Sequence, residues 1–161
     1  MQSIPFMAAA ILAAIVLIVA PEPAQSSDRA TREEVFMKVH LAMRLLRDKG
    51  LESLSEIRDP NGSFVWKDTY VFVVDCDADR VIANPAFPER VGGDIRKHTD
   101  YAGFRYGDTL CETAGQPGGG WIDYVWLRPG SDEPEPKSSF VMSVPGTSLQ
   151  VGAGVYGGKR E

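Results

Sequence analysis

Two histidines and two cysteines are all that 161 residues offer a soft metal or a nucleophilic relay. There is no H-E-x-x-H pair, no G-x-S-x-G elbow and no C-x-x-C pair. Zinc hydrolysis, serine acyl transfer and thiol–disulfide catalysis therefore have no motif to stand on. His40 falls beside the apolar stripe of a predicted helix and His98 in a charged loop, where packed and solvated side chains are the ordinary outcome. The acid-rich stretch Asp75-Cys76-Asp77-Ala78-Asp79 lacks the glycine and the distal glutamate of a calcium loop, so it reads as a hairpin turn. Gly118-Gly119-Gly120 has no Lys-Ser/Thr successor and precedes a strand, which excludes a phosphate-binding loop. Positive charge is also scarce: 17 basic residues stand against 22 acidic ones, a formal charge of −5. No basic patch interleaves with aromatics, so nucleic acid is excluded as a partner. These absences predict a protein that is not an enzyme, with no cofactor and no metal.

Long apolar runs are equally few. One stands at the amino terminus, MQSIPFMAAAILAAIVLIVA, followed by the polar PEPAQSS. It has the form of a secretory signal with a small-residue exit at Ala24-Gln25-Ser26. The predicted organisation is a signal peptide over residues 1–26 and a single domain over 27–161, periplasmic or secreted. No Lys or Arg precedes the apolar run, so an uncleaved inner-membrane anchor at residues 4–20 is the alternative, although it is short of the ~20 residues of a bilayer span. In an oxidising compartment the pair Cys76 and Cys111 is expected to form a structural disulfide, with two buried thiols as the alternative. On the chain-entropy account such a bridge stabilises by about 3–4 kcal/mol.

What remains has the composition of a globular protein, 43% hydrophobic and 24% charged. Thr31-Arg32-Glu33-Glu34 is a capping box before a run in which Val35, Val39, Ala42 and Leu46 share one helical face, ended by Gly50. A shorter helix is predicted over Leu51–Ile57. The period then changes to two. Strands are predicted over Ser63–Trp66, Thr69–Asp75, Arg80–Asn84, Trp121–Leu127, Ser138–Val144 and Leu149–Tyr156, with a short helix over Gly107–Ala114. TYVFVVD is apolar on both faces and reads as central. The fold class is α+β: a PAS-like antiparallel sheet with a long N-terminal helix, its other helices and loops covering the sheet.

Taken in order, five stretches resemble the single Cache domain family of extracytoplasmic small-ligand sensors. They are TYVFVVDCDADRVIANP (Thr69–Pro85), Val91-Gly92-Gly93-Asp94-Ile95, GGGWIDYVWLRPG (Gly118–Gly130), Lys137-Ser138-Ser139-Phe140-Val141 and VGAGVY (Val151–Tyr156). The resemblance implies a pocket on one sheet face, closed by the loop and helix between strands, that takes a small organic acid or similar metabolite. It also implies a membrane partner for the signal: a receptor, kinase or transporter subunit. The chain ends at Gly157-Gly158-Lys159-Arg160-Glu161, where receptors of the family continue into a membrane span, so a free-standing binder is expected. Two positions depart from the family pattern: Asn84, where histidine is common, and Phe140, where tyrosine is common.

Strand alternation puts Ile122, Tyr124 and Trp126 on one face and Trp121 on the other, with Tyr70, Phe72 and Val74 together on the central strand. A pocket for a small acid needs apolar walls, neutral donors and a cation. Tyr124 and Trp126 are candidate walls and donors, Tyr70 and Phe72 candidate walls, and Lys137 or Arg105 the candidate cation. The ring residues also read as plain core, Lys137 as a solvated turn residue and Arg105 as a structural stack. The expected function is a periplasmic ligand-binding sensor module; the alternative is a ligand-free module that docks on a receptor or transporter subunit.

Overall fold

The structure, a computed structural model, describes residues 28–157. The predicted signal peptide lies outside the described residues.

The first helix, α1 (Arg32–Lys49), begins where the capping box predicts. The Thr31 hydroxyl accepts the Glu34 N–H at 3.2 Å, and the Glu34 carboxylate accepts the Thr31 N–H at 3.0 Å. Val35, Val39, Ala42 and Leu46 form its buried stripe. Gly50, at φ +63°, ends it with an N–H donated to the Leu46 carbonyl. The second predicted helix divides into a 3₁₀ turn (Gly50–Ser53) and a short α2 (Leu54–Arg58) that buries Leu54 and Ile57.

Six strands follow: β1 (Val65–Trp66), β2 (Thr69–Asp75), β3 (Arg80–Ala83), β4 (Gly120–Leu127), β5 (Pro134–Ser143) and β6 (Leu149–Tyr156). A 3₁₀ turn (Pro88–Arg90) and helix α3 (Tyr106–Ala114) fill the connection from β3 to β4. Every pairing is antiparallel, in the order β1-β2-β6-β5-β4, with β3 also on β2. Six of the seven β2 residues are buried, so its apolarity does mark a central strand.

The sheet separates two cores. On one face α1 packs on Val71, Val73, Phe140, Val151 and Ala153. On the other, Tyr70, Phe72, Ile122, Tyr124, Trp126 and Tyr156 meet Tyr106 and Leu110 of α3. Trp121 goes with the first face, as alternation requires. Phe140 goes there too, so its departure from the family pattern bears on the helix side and not on the second core. The cysteines are bridged: Cys76, after β2, is joined to Cys111 in α3 with Cα atoms 5.9 Å apart, tying the helix to the β2–β3 hairpin.

One strand is longer than its sequence suggests. β5 starts at Pro134, four residues before the predicted start, because its prolines stand where no donor is required. Val125, opposite Pro136, turns its main chain toward the outer edge of β4: its N–H reaches Asp100 Oδ2 at 2.8 Å and its carbonyl accepts from Tyr101 N–H at 3.2 Å. On the other side the Pro136 carbonyl accepts the Gly157 N–H, just past the end of β6. Lys137 is thereby drawn from the expected turn into the body of the sheet.

Candidate functional site

The second core is incompletely filled. A cavity of about 30 Å³ lies between the sheet and α3. That is water-sized and well below the ~300–1,000 Å³ of drug-sized ligand sites, so an occupant of two to four carbons needs the lining side chains to move aside. Its floor is Tyr70, Phe72 and Val74 of β2 with Tyr124 and Trp126 of β4; α3 contributes Tyr106 and Leu110 above. Val81, Asn84, Arg90 and Ile95, from β3 and the segment after it, complete the wall.

The aromatic walls hold one another. Tyr106 stacks on Tyr124 with centroids 5.0 Å apart and planes within 10°, and Trp126 stands edge-on to both. The Tyr124 hydroxyl shares a 2.9 Å hydrogen bond with Ser139 Oγ, and the Tyr156 hydroxyl donates to the Leu127 carbonyl at 2.9 Å. Burial raises the hydroxyl pKa of Tyr70, Tyr124 and Tyr156, and that of Tyr106 to about 12, so all four stay protonated donors. The Tyr70 hydroxyl faces Tyr156, Trp126 and Asn84, which makes one polar corner in an apolar chamber.

Lys137 sits behind this floor, 1% exposed. Register explains how: in β5 it pairs with Tyr124 on one side and Tyr156 on the other. Its Nζ lies 4.3 Å from the Tyr70 ring centroid, 4.8 Å from Tyr156, 5.7 Å from Phe72 and 5.9 Å from Tyr124. The ammonium has cation–π contacts on several sides but no hydrogen-bond acceptor. Burial pushes its pKa down to about 7, opposed by the more distant Asp68. Asp68 is itself engaged elsewhere, accepting the Ala30 N–H at 2.8 Å and standing 3.7 Å from Arg29.

Five of the six candidate residues thus converge: Tyr70, Phe72, Tyr124 and Trp126 line the cavity and Lys137 stands behind them. Arg105 does not join them. It precedes α3 with an exposed side chain that donates to the Arg96 carbonyl at 3.0 Å. The loop arginine that reaches the cavity is Arg90, its Cζ 4.3 Å over the Trp126 ring. Sequence reading missed Arg90, Tyr106 and Tyr156, and marked Asn84 only as a departure from the family pattern. Tyr106 and Tyr156 were within reach, as aromatics at the ends of apolar elements, the first opening α3 and the second closing β6. Arg90 had only the weak signal of a cation two residues after Pro88. Among the described residues no group of three His, Cys, Asp or Glu side chains is placed to hold a metal.

The family profile of single Cache domain 2 matches residues 41–158. A periplasmic sensor domain of a chemotaxis protein superposes with a TM-score of 0.54 at 31% identity, over 68% of this chain and 72% of that one. A Cache chemosensory domain solved for carboxylic acid recognition superposes with a TM-score of 0.58 at 26% identity, over 75% of this chain and 80% of that one. The methyl-accepting chemotaxis protein McpP of Pseudomonas putida KT2440 is 29% identical over 89 residues, which is 55% of this chain but 16% of that receptor.

Proposed function

Because this chain belongs to the single Cache domain 2 family, we propose that it is an extracytoplasmic sensor module that binds a short organic acid and passes the signal to a membrane partner. Domains of this family are sensor modules of chemoreceptors, and one relative is described for carboxylic acid recognition. The observation that carries the reading is the Lys137 ammonium: buried, without an acceptor, behind an apolar chamber whose tyrosines all keep their protons. A carboxylate entering that chamber supplies the missing acceptor, and a charge-assisted bond away from water is stronger than any neutral one. The rings supply the apolar wall for a short carbon chain.

Periplasmic placement is part of the proposal, with residues 1–26 as the exporting segment. Among the described residues no helix is long and apolar enough to cross a membrane. A thermal-shift screen of two- to four-carbon carboxylates tests the reading. At least one acid is expected to raise Tm in proportion to ln(1 + [L]/Kd), and Lys137→Met is expected to remove the rise while melting cooperatively. No rise with any acid would overturn it.

The docking reading retains one supporting observation. Phe36, Met37 and Leu41 lie on the outer side of α1 at 46%, 64% and 44% exposure, more apolar surface than a solvated helix needs. That face serves equally as the partner surface of a sensor. Docking without a ligand requires the acid screen to stay flat.

A further inference from the structure

We infer that Arg90 is a second anion-binding group of the same cavity, and that it selects short acids carrying a second anionic group, the dicarboxylate class. The inference rests on the organic-acid reading above and adds a specificity to it.

Among the residues that line the cavity, Arg90 alone carries a formal charge, and no acidic side chain faces it across the space. It forms no ion pair with any described residue; its guanidinium lies over the face of Trp126 and acts electrostatically on the Tyr106 hydroxyl. Two carboxylates of the same β3–α3 connection are occupied. Asp94 is paired with Lys97 at 2.9 Å. Asp100, though adjacent, receives the N–H groups of Ala102, Phe104 and Val125, each at 2.8 Å. The guanidinium therefore has its fork of donors free while its flat face is fixed on the indole, an arrangement suited to a planar carboxylate.

Position makes this a second group and not a substitute for Lys137. Arg90 lies against Trp126, whereas the Lys137 ammonium lies against Tyr70, Tyr156, Phe72 and Tyr124. Tyr124 and Trp126 are neighbours, with centroids 5.7 Å apart. A ligand lying along that pair has one cation beside each ring. Arg90 also borders an outer recess formed with Lys97, His98, Thr99, Asp100 and Tyr101, which places it at the solvent side of the chamber. A monocarboxylate satisfies one of the two cations; a dicarboxylate satisfies both.

Calorimetric titration of the whole chain at pH 6.5 with succinate and with butyrate isolates the second charge, since both acids have four carbons. Succinate is expected to bind at least about tenfold more tightly, the scale of one charge-assisted hydrogen bond. Arg90→Gln is expected to shrink the succinate-to-butyrate preference by about tenfold. Arg90→Met, which keeps an apolar stem on Trp126, serves the same comparison if the glutamine variant melts early. Butyrate binding as tightly as succinate, or a preference unchanged in both variants, overturns the assignment of Arg90 and leaves the organic-acid reading standing. No heat with either acid, nor with acetate or propionate, overturns both.

Discussion

Lys137 is held where its charge is unwelcome. Its contacts with the Tyr70 and Tyr156 rings return about 0.5–2 kcal/mol at best. The fall in its pKa from 10.5 to about 7 corresponds to several kcal/mol at about 1.4 per unit. Desolvation therefore wins. The sign follows from linkage: between pH 7 and 10.5 the unfolded lysine binds a proton that the folded one does not, so stability rises with pH across that window. Below pH 7 both forms are protonated and the full penalty is present. Lys137→Met is accordingly expected to stabilise the protein by about 1–4 kcal/mol at pH 6, with the advantage shrinking as pH approaches 9.5. Melting curves of both proteins from pH 6 to 9.5 check this; a constant difference would show an amine that does not titrate there. Glu34, held low by its hydrogen bond from Lys67, loses its contribution only in the acid range and leaves the window clear. The same site depends on a glycine. A Cβ at Gly154 would stand 2.8 Å from Lys137 Cε and press on Ser139, so Gly154→Ala is expected to cost about 1–3 kcal/mol by overpacking, read as a lower Tm together with a weakened response to acids.

At the scale of elements, α3 carries part of the roof over the cavity and one disulfide anchors it. Cys76–Cys111 closes a separation of 35 residues, for which the chain-entropy account gives about 3–4 kcal/mol. Tyr106 and Leu110 of the same helix face the cavity. Paired Cys76→Ser and Cys111→Ser substitutions are expected to lower stability by roughly that amount, and to speed amide exchange in Tyr106–Ala114 more than in β2 or β6. Equal protection in α3 before and after would mean that packing alone holds the helix. Elements with a period were legible from the sequence. The stripe of α1 and the alternation of β2 and β4 sorted Trp121 from Tyr124 and Trp126, because helix and strand geometry dictate which side chains share a face. The start of β5 was obscured by Pro134 and Pro136, which read as turn residues until the outward-turned main chain of Val125 shows that no donor is missing. The choice between Arg90 and Arg105 was not legible. Both lie in aperiodic segments, and which one turns inward depends on the β3–α3 connection folding back over the sheet, a long-range contact with no local signature.

The whole molecule is one sheet with two unlike faces: α1 seals the first, and the second holds a chamber with a titrating cation behind it. On the proposed reading, folding, protonation and binding are linked through the same amine. Short carboxylic acids, dicarboxylates included, are essentially fully ionised from about pH 7 to 9.5, so over that range the cavity and not the ligand changes charge. An anion that binds the ammonium raises its pKa and draws a proton into the complex. The free protein should grow more stable as pH rises above 7, while the stabilisation added by ligand should shrink, because the competent form falls roughly tenfold per pH unit. Melting temperatures with and without a saturating acid are thus expected to converge from pH 6.5 to 9. Calorimetry in buffers of differing ionisation enthalpy should show uptake approaching about one proton per ligand near pH 8.5 and less at pH 6. Arg90 provides the internal contrast, since a guanidinium does not titrate in this range. A pH-independent affinity with no proton uptake would mean that the carboxylate rests on Arg90 alone, and that Lys137 belongs to the packing of the core.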